Sequence, residues 1–130
     1  MEQKTFAIRI DDLTIDCADA QKLSAFYADL LGWQAIKLAE SLFEVRAAGF
    51  PMRFLIEQES DYVPPVWPEA PGEQQKQMHL DFTVSDLSAA VARAKALGAV
   101  ETAAQFNPKQ WITMLDPAGH PFCLCLPEQS

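Results

Sequence analysis

The chain has 130 residues, enough for one compact domain or two small modules sharing a core. A chain of this length buries roughly two-thirds of its unfolded surface, so its folding requires neither a disulfide nor a metal. The net charge is −8 with no Lys/Arg run, a surface that repels phosphate backbones and anionic bilayers and so argues against nucleic-acid and membrane partners.

Taken in chain order, the N-terminal MEQKTFAIRIDD is charged, lacks an apolar leader core, and is followed by no long apolar run. With an odd cysteine count (Cys17, Cys123 and Cys125), this reads as a reduced, cytoplasmic protein. Cys123 and Cys125, two apart on one strand face, suit a disulfide poorly. Leu13, Ile15 and Cys17 alternate with Thr14 and Asp16, the period of a strand. Asp19 follows as a helix N-cap. Leu23, Phe26, Tyr27, Leu30 and Leu31 then form one helical stripe, and Gly32 stands where a left-handed C-terminal residue is wanted. Strand-like runs cover Gln34 to Leu38, Leu42 to Arg46 and Met52 to Glu57.

ESDYVPPVWPEAPGEQQKQ, rich in proline and polar residues, reads as an extended linker. Tyr62 and Trp67 within it are expected to pack against the modules, a lid being one form this takes. The scheme then repeats. Leu80, Phe82 and Val84 alternate; Asp86 or Ser85 caps; Leu87, Ala90, Val91, Ala94 and Leu97 make the stripe; Gly98 ends it. Strands are predicted over Val100 to Gln105, Trp111 to Leu115 and Phe122 to Leu126. AGFPMRFLI from Ala48 matches AGHPFCLCL from Ala118 in Ala, Gly, Pro and the apolar positions. Two matching blocks in the same order indicate an internal duplication.

The order β-α-β-β-β, twice, resembles the vicinal oxygen chelate superfamily: glyoxalase I, extradiol dioxygenases and bleomycin-resistance proteins. DCADAQKLSAFYADLLGW resembles its strand, Asp turn and FY…LG helix. HLDFTVSDLSAAVARAKALGA and LDPAGHPFCLC resemble its second module with the D-P-x-G turn. The nearest branch is the glyoxalase-like domain. The resemblance implies an α+β fold of two tandem modules, residues 1–58 and 76–130 joined by 59–75. Their mixed sheets would form a curved cup with the helices outside.

Metal-dependent members of this superfamily place His, Glu or Gln on the first and last strand of each module. Carried over by the FY and D-P-x-G landmarks, those positions are Asp12, Arg53, His79 and Cys123. Asp12, His79 and Cys123 are able to ligate an ion; Arg53 is not, since guanidinium keeps its proton. A fixed cation there opposes a divalent ion, so no metal is favoured, with Zn, Ni, Mn or Fe as the alternatives. Alternation sends His79, Asp81 and Thr83, and Asp12, Thr14 and Asp16, to the face away from the helices. Either Trp111 and Thr113 or Ile112 and Met114 join them. An antiparallel half-sheet wets one face in any case. The cup implied by the resemblance makes that face a ligand pocket instead, lined by Asp12, Thr14, Asp16, Arg53, Trp67, His79, Asp81, Trp111 and Cys123. His79 is the candidate catalytic residue, and His120 is expected to face solvent.

The expected function is bleomycin-resistance-like binding of a small molecule, cationic if the carboxylates set its charge. The alternative is a metal-dependent lyase or dioxygenase of the glyoxalase type; a third possibility is an interaction module. A homodimer is expected by resemblance.

Overall fold

The computed structural model describes residues 6–128; residues 1–5 and 129–130, at the two ends of the expected modules, lie outside the described residues. Strand β1 (Asp12–Cys17) leads through Asp19 into α1 (Ala20–Leu31). The Asp19 carboxylate accepts from Lys22 N at 3.0 Å, satisfying a backbone donor that has no partner within the helix. Gly32 ends α1 at φ 70°, the left-handed region a Cβ disfavours. Strands β2 (Gln34–Ala39), β3 (Leu42–Arg46) and β4 (Arg53–Gln58) complete the first module. The second contains β5 (Leu80–Thr83), α2 (Leu87–Ala96) capped by Asp86, β6 (Val100–Glu101), β7 (Trp111–Leu115) and β8 (Pro121–Cys125). The sheets run β1-β4-β3-β2 and β5-β8-β7-β6, each with its first strand parallel to its last.

One predicted strand is shorter than expected. β6 stops at Glu101 instead of reaching Gln105. The Gln105 side-chain amide takes the place of the missing ladder. Its Nε2 donates to Thr113 O at 2.9 Å, and its Oε1 accepts from Thr113 N at 2.9 Å. Once these edge groups of β7 are satisfied, further strand pairing gains nothing there.

The helix-side faces of both sheets converge on α1. Tyr27, 1% exposed, lies edge-on to Phe54 of the first sheet and Phe122 of the second, with Phe26 beside it. Ile56, Val45, Met114 and Leu124 complete the buried centre. Each such side chain contributes roughly 1.5–3 kcal/mol by leaving water. Among the described residues no helix is long and apolar enough to cross a membrane.

The duplication is exact in order but not in register. Measured from the caps Asp19 and Asp86, Ile15 and Phe82 are equivalent. Measured from the shared Ala-Gly-x-Pro turns, Phe54 and Leu124 are equivalent. Yet Ile15 lies opposite Ile56, whereas Phe82 lies opposite Leu124. The first strand has slid along the last by two residues between modules. An even slide keeps every side chain on its own face, so the core tolerates it.

Candidate functional site

The slide decides which polar residues meet. Asp12 lies opposite Arg53 in the first sheet. In the second, the residue opposite Cys123 is Asp81 rather than His79. The polar groups therefore form separate constellations.

In the first sheet, Arg53 reaches across to Glu44 on β3, whose side chain is only 5% exposed. Arg46 bonds the other Glu44 oxygen at 3.2 Å. Arg53 Nη2 also stands 3.4 Å from Asp11 and 4.0 Å from Asp12. The Arg53 hydrogen bond holds the Glu44 carboxyl below its usual range, against the opposing effect of burial. Asp12 accepts from Thr14 Oγ1 at 3.2 Å. Glu44 is a residue that alternation alone did not single out, although LFEVR places it on the same face as Leu55.

In the second sheet, His79 Nε2 stands 3.3 Å from Asp81 Oδ1, and His79, Asp81 and Cys123 bring a nitrogen, an oxygen and a sulfur within 4.8 Å of one another. Thr113 Oγ1 lies 3.4 Å from Cys123 Sγ. Trp111 and Thr113 share this face with Cys125 and Cys123, their partners across the ladder. Burial pushes the Cys123 thiol up, with the Asp81 charge acting in the same sense. Trp67 packs instead against Phe106, with the Lys76 ammonium 4.6 Å from its ring.

A cavity of about 490 Å³ lies elsewhere: in a groove between β1, the linker and the start of β5. Of the expected pocket residues, Thr14, Asp16 and His79 line it. Asp12, Arg53, Trp67, Asp81, Trp111 and Cys123 do not. Tyr27 also lines the groove, with Tyr62, Val63 and Met78 among its other walls. Asp16, Glu59 and Asp61 place carboxylates along it, and Asp16, Glu57 and Glu59 approach within 4.8 Å. Crowding by Glu57, helped by burial and by Asp16 and Asp61, raises the Glu59 carboxyl.

His120, expected to face solvent, is half-buried at this wall. Its Nε2 lies 2.7 Å from Asp16 O and 3.2 Å from the Tyr62 hydroxyl, which donates to Ala118 O at 2.7 Å. The D-P-x-G turn is thus stitched to both β1 and the linker, which explains why its histidine is not solvated. Tyr62 packs as expected; Tyr27 and His120 were legible in sequence only as a helix stripe and a turn.

Paired βαβββ modules, with mixed sheets and a polar face opposite the helices, define a vicinal oxygen chelate protein. The chain belongs to the glyoxalase-like domain family of that superfamily, which matches residues 12–125. No curated protein matches the sequence. Among solved structures, the fosfomycin resistance protein FosX of Listeria monocytogenes is similar at TM-score 0.67 and 17% identity, over 96% of this chain and 95% of that one. TnmS3, an antibiotic binding protein from a Streptomyces species, is similar at TM-score 0.61 and 15% identity, over 97% and 100%. A glyoxalase/bleomycin resistance protein/dioxygenase family enzyme of Burkholderia phytofirmans gives TM-score 0.64 and 18% identity, over 88% and 94%. At these identities the likeness concerns the fold.

The superfamily commonly uses a divalent metal, and the four corresponding positions do not fit one. Arg53 occupies one of them with a side chain that cannot donate, already committed to Glu44. Asp12 belongs to neither of the close groups of potential metal ligands found among the described residues.

Proposed function

We propose that the protein is a small-molecule binding member of its family, and that its ligand is a compact organic cation held in the groove between β1, the linker and β5. The carrying observation is a cavity of about 490 Å³ with Asp16, Glu59 and Asp61 along it and Tyr62 in its wall. Carboxylates beside an aromatic face favour an ammonium or guanidinium group, through charge and the ring quadrupole. Lys76 also lines the cavity, but its ammonium is engaged with Glu69 and the Trp67 ring. The antibiotic-binding function of TnmS3 supports reading this fold as a receptor. The lyase or dioxygenase alternative needs three or four converging neutral or anionic donors, and the fixed cation of Arg53 among the corresponding positions stands against it.

The test is a thermal-shift screen of matched cations, neutral compounds and anions, followed by calorimetry on the hits. Stabilisation by cations, lost in Asp16→Asn, supports the reading; a consistent preference for anions overturns it.

The same proposal includes a homodimer. Phe6, Ile8 and Ile10 alternate along the segment before β1 and are 67%, 73% and 70% exposed. Such a stripe of alternating apolar groups is suited to a second copy. Light scattering at micromolar concentration, with Ile8→Asp as the disrupting variant, checks it; a monomeric wild-type chain refutes it.

A further inference from the structure

We propose that the groove takes its cation on a short peptide, bound as an added strand along the free edge of β1, and that this peptide alternates apolar and basic residues. The proposal rests on the cationic reading of the groove and names the rest of the ligand.

The groove meets β1 at its edge. Leu13, Thr14, Ile15 and Asp16 all line it. Consecutive side chains of a strand point to opposite faces, so a cavity touching four in a row runs beside the backbone. β1 is the terminal strand of its sheet and pairs with β4 alone. Hydrogen-bond parity then identifies the open groups. Asp11 O accepts from Arg53 N at 3.3 Å, and Cys17 O from Glu59 N at 2.9 Å. Odd-numbered residues of β1 therefore turn their N–H and C=O toward β4, and those of Asp12, Thr14 and Asp16 point the other way. His120 Nε2, at 2.7 Å, already occupies the Asp16 carbonyl. Among the described residues, the Thr14 N–H and C=O have no partner. An open N–H and C=O on a strand edge beside a cavity are the groups a peptide backbone pairs with.

The pleat sets the sequence of the occupant. A strand added beside β1 continues its two faces, and residues on one face pair across the ladder. Leu13 and Ile15 lie on one face, and Tyr27 and Leu80 line the same groove, so this face takes apolar side chains. Thr14 and Asp16 lie on the other, with Glu59 and Asp61 also along the groove, so this face takes Lys or Arg. The four lining residues of β1 span about 10 Å, the length of a tripeptide.

The probe is the tripeptide Val-Lys-Val, acetylated and amidated at its ends, titrated calorimetrically into the full chain beside an alkylamine hit from the cation screen. Two analogues carry a single N-methyl group, on Lys or on the second Val. The tripeptide is expected to bind at least tenfold more tightly than the alkylamine, and Val-Glu-Val at least tenfold more weakly than Val-Lys-Val. One N-methyl analogue loses at least tenfold in affinity while the other stays within threefold. Loss on methylating Lys marks an antiparallel strand and loss on methylating Val a parallel one. The residue opposite Thr14 turns its own N–H toward β1 only in the antiparallel ladder. Nuclear magnetic resonance of the bound chain shows the Thr14 amide proton exchanging at least tenfold more slowly. Equal affinity of the two N-methyl analogues, equal binding of Val-Glu-Val, or unchanged Thr14 exchange overturns the proposal. A chain that binds the alkylamine but not the tripeptide overturns the peptide alone. A screen that yields no amine hit overturns the cationic reading together with it.

Discussion

Tyr27→Phe removes one oxygen from the centre of the molecule. The Tyr27 hydroxyl, on a residue 1% exposed, donates to Asp116 Oδ2 in the β7–β8 turn and so ties the first module's helix to the second module. Asp116 is 4% exposed, and its other oxygen accepts from Ala118 N at 2.8 Å and His120 N at 3.0 Å. The substitution deletes a hydrogen bond to a buried carboxyl. Bonds of that kind contribute about 1.5–3 kcal/mol. For a chain of this size that corresponds to a fall in Tm of roughly 5–12 °C.

The pH dependence sharpens the test. Burial holds the Asp116 carboxyl above its ordinary value of 3.8, while the Tyr27, His120 and Ala118 contacts pull it down. A folded-state pKa above the unfolded one stabilises the protonated form: that contribution is complete below the unfolded value and is lost as pH rises through the folded value. Removing the Tyr27 donor raises the folded value further. The deficit of Tyr27→Phe relative to wild type therefore grows with pH above the ordinary carboxyl range and shrinks in acid. Urea unfolding across that range reads it directly. A deficit below about 0.5 kcal/mol near neutral pH, or one that grows on acidification, refutes the reasoning.

Two further outcomes follow from the same structure. Arg53→Ala frees the buried Glu44, whose lowered pKa contributes stability above its ordinary value of 4.5 and loses it as pH falls through the folded value. The variant melts earlier than wild type at neutral pH, and the two converge in acid; a constant difference across pH contradicts the pairing. Gly119→Ala places a Cβ at φ +91° and 3.0 Å from Pro64 Cβ. It destabilises by about 1–3 kcal/mol in denaturant unfolding, and a neutral effect contradicts the tight packing of the turn on the linker.

Much of the fold was legible because local signals agreed. Asp19 and Asp86 cap, the helix stripes face inward, and period-two alternation assigned the strand faces, except on β7, where it left Trp111 and Thr113 or Ile112 and Met114 open and the ladder with Cys125 and Cys123 selects the first pair. β6 was overextended because a side-chain amide, Gln105, substitutes for backbone pairing, and no periodicity marks that. The polar constellations were less legible. Alignment of the repeats equates Asp12 with His79 and Arg53 with Cys123, but it carries no information on how far one strand slides along another. A two-residue slide costs the core nothing, yet it brings Asp81 opposite Cys123. The groove was hidden for a different reason. Tyr62, Asp61 and Lys76 reach it through a linker without regular structure, and its position follows from packing alone.

Calorimetric titration of one alkylamine hit, charged at neutral pH, and its carboxylate analogue, in chelator, against wild type and Asp16→Asn, tests the proposed ligand class most directly. Binding of the amine alone, weakened at least tenfold by Asp16→Asn in a folded variant, is the predicted result. Equal binding of both compounds, or an amine affinity unchanged in Asp16→Asn, would contradict it.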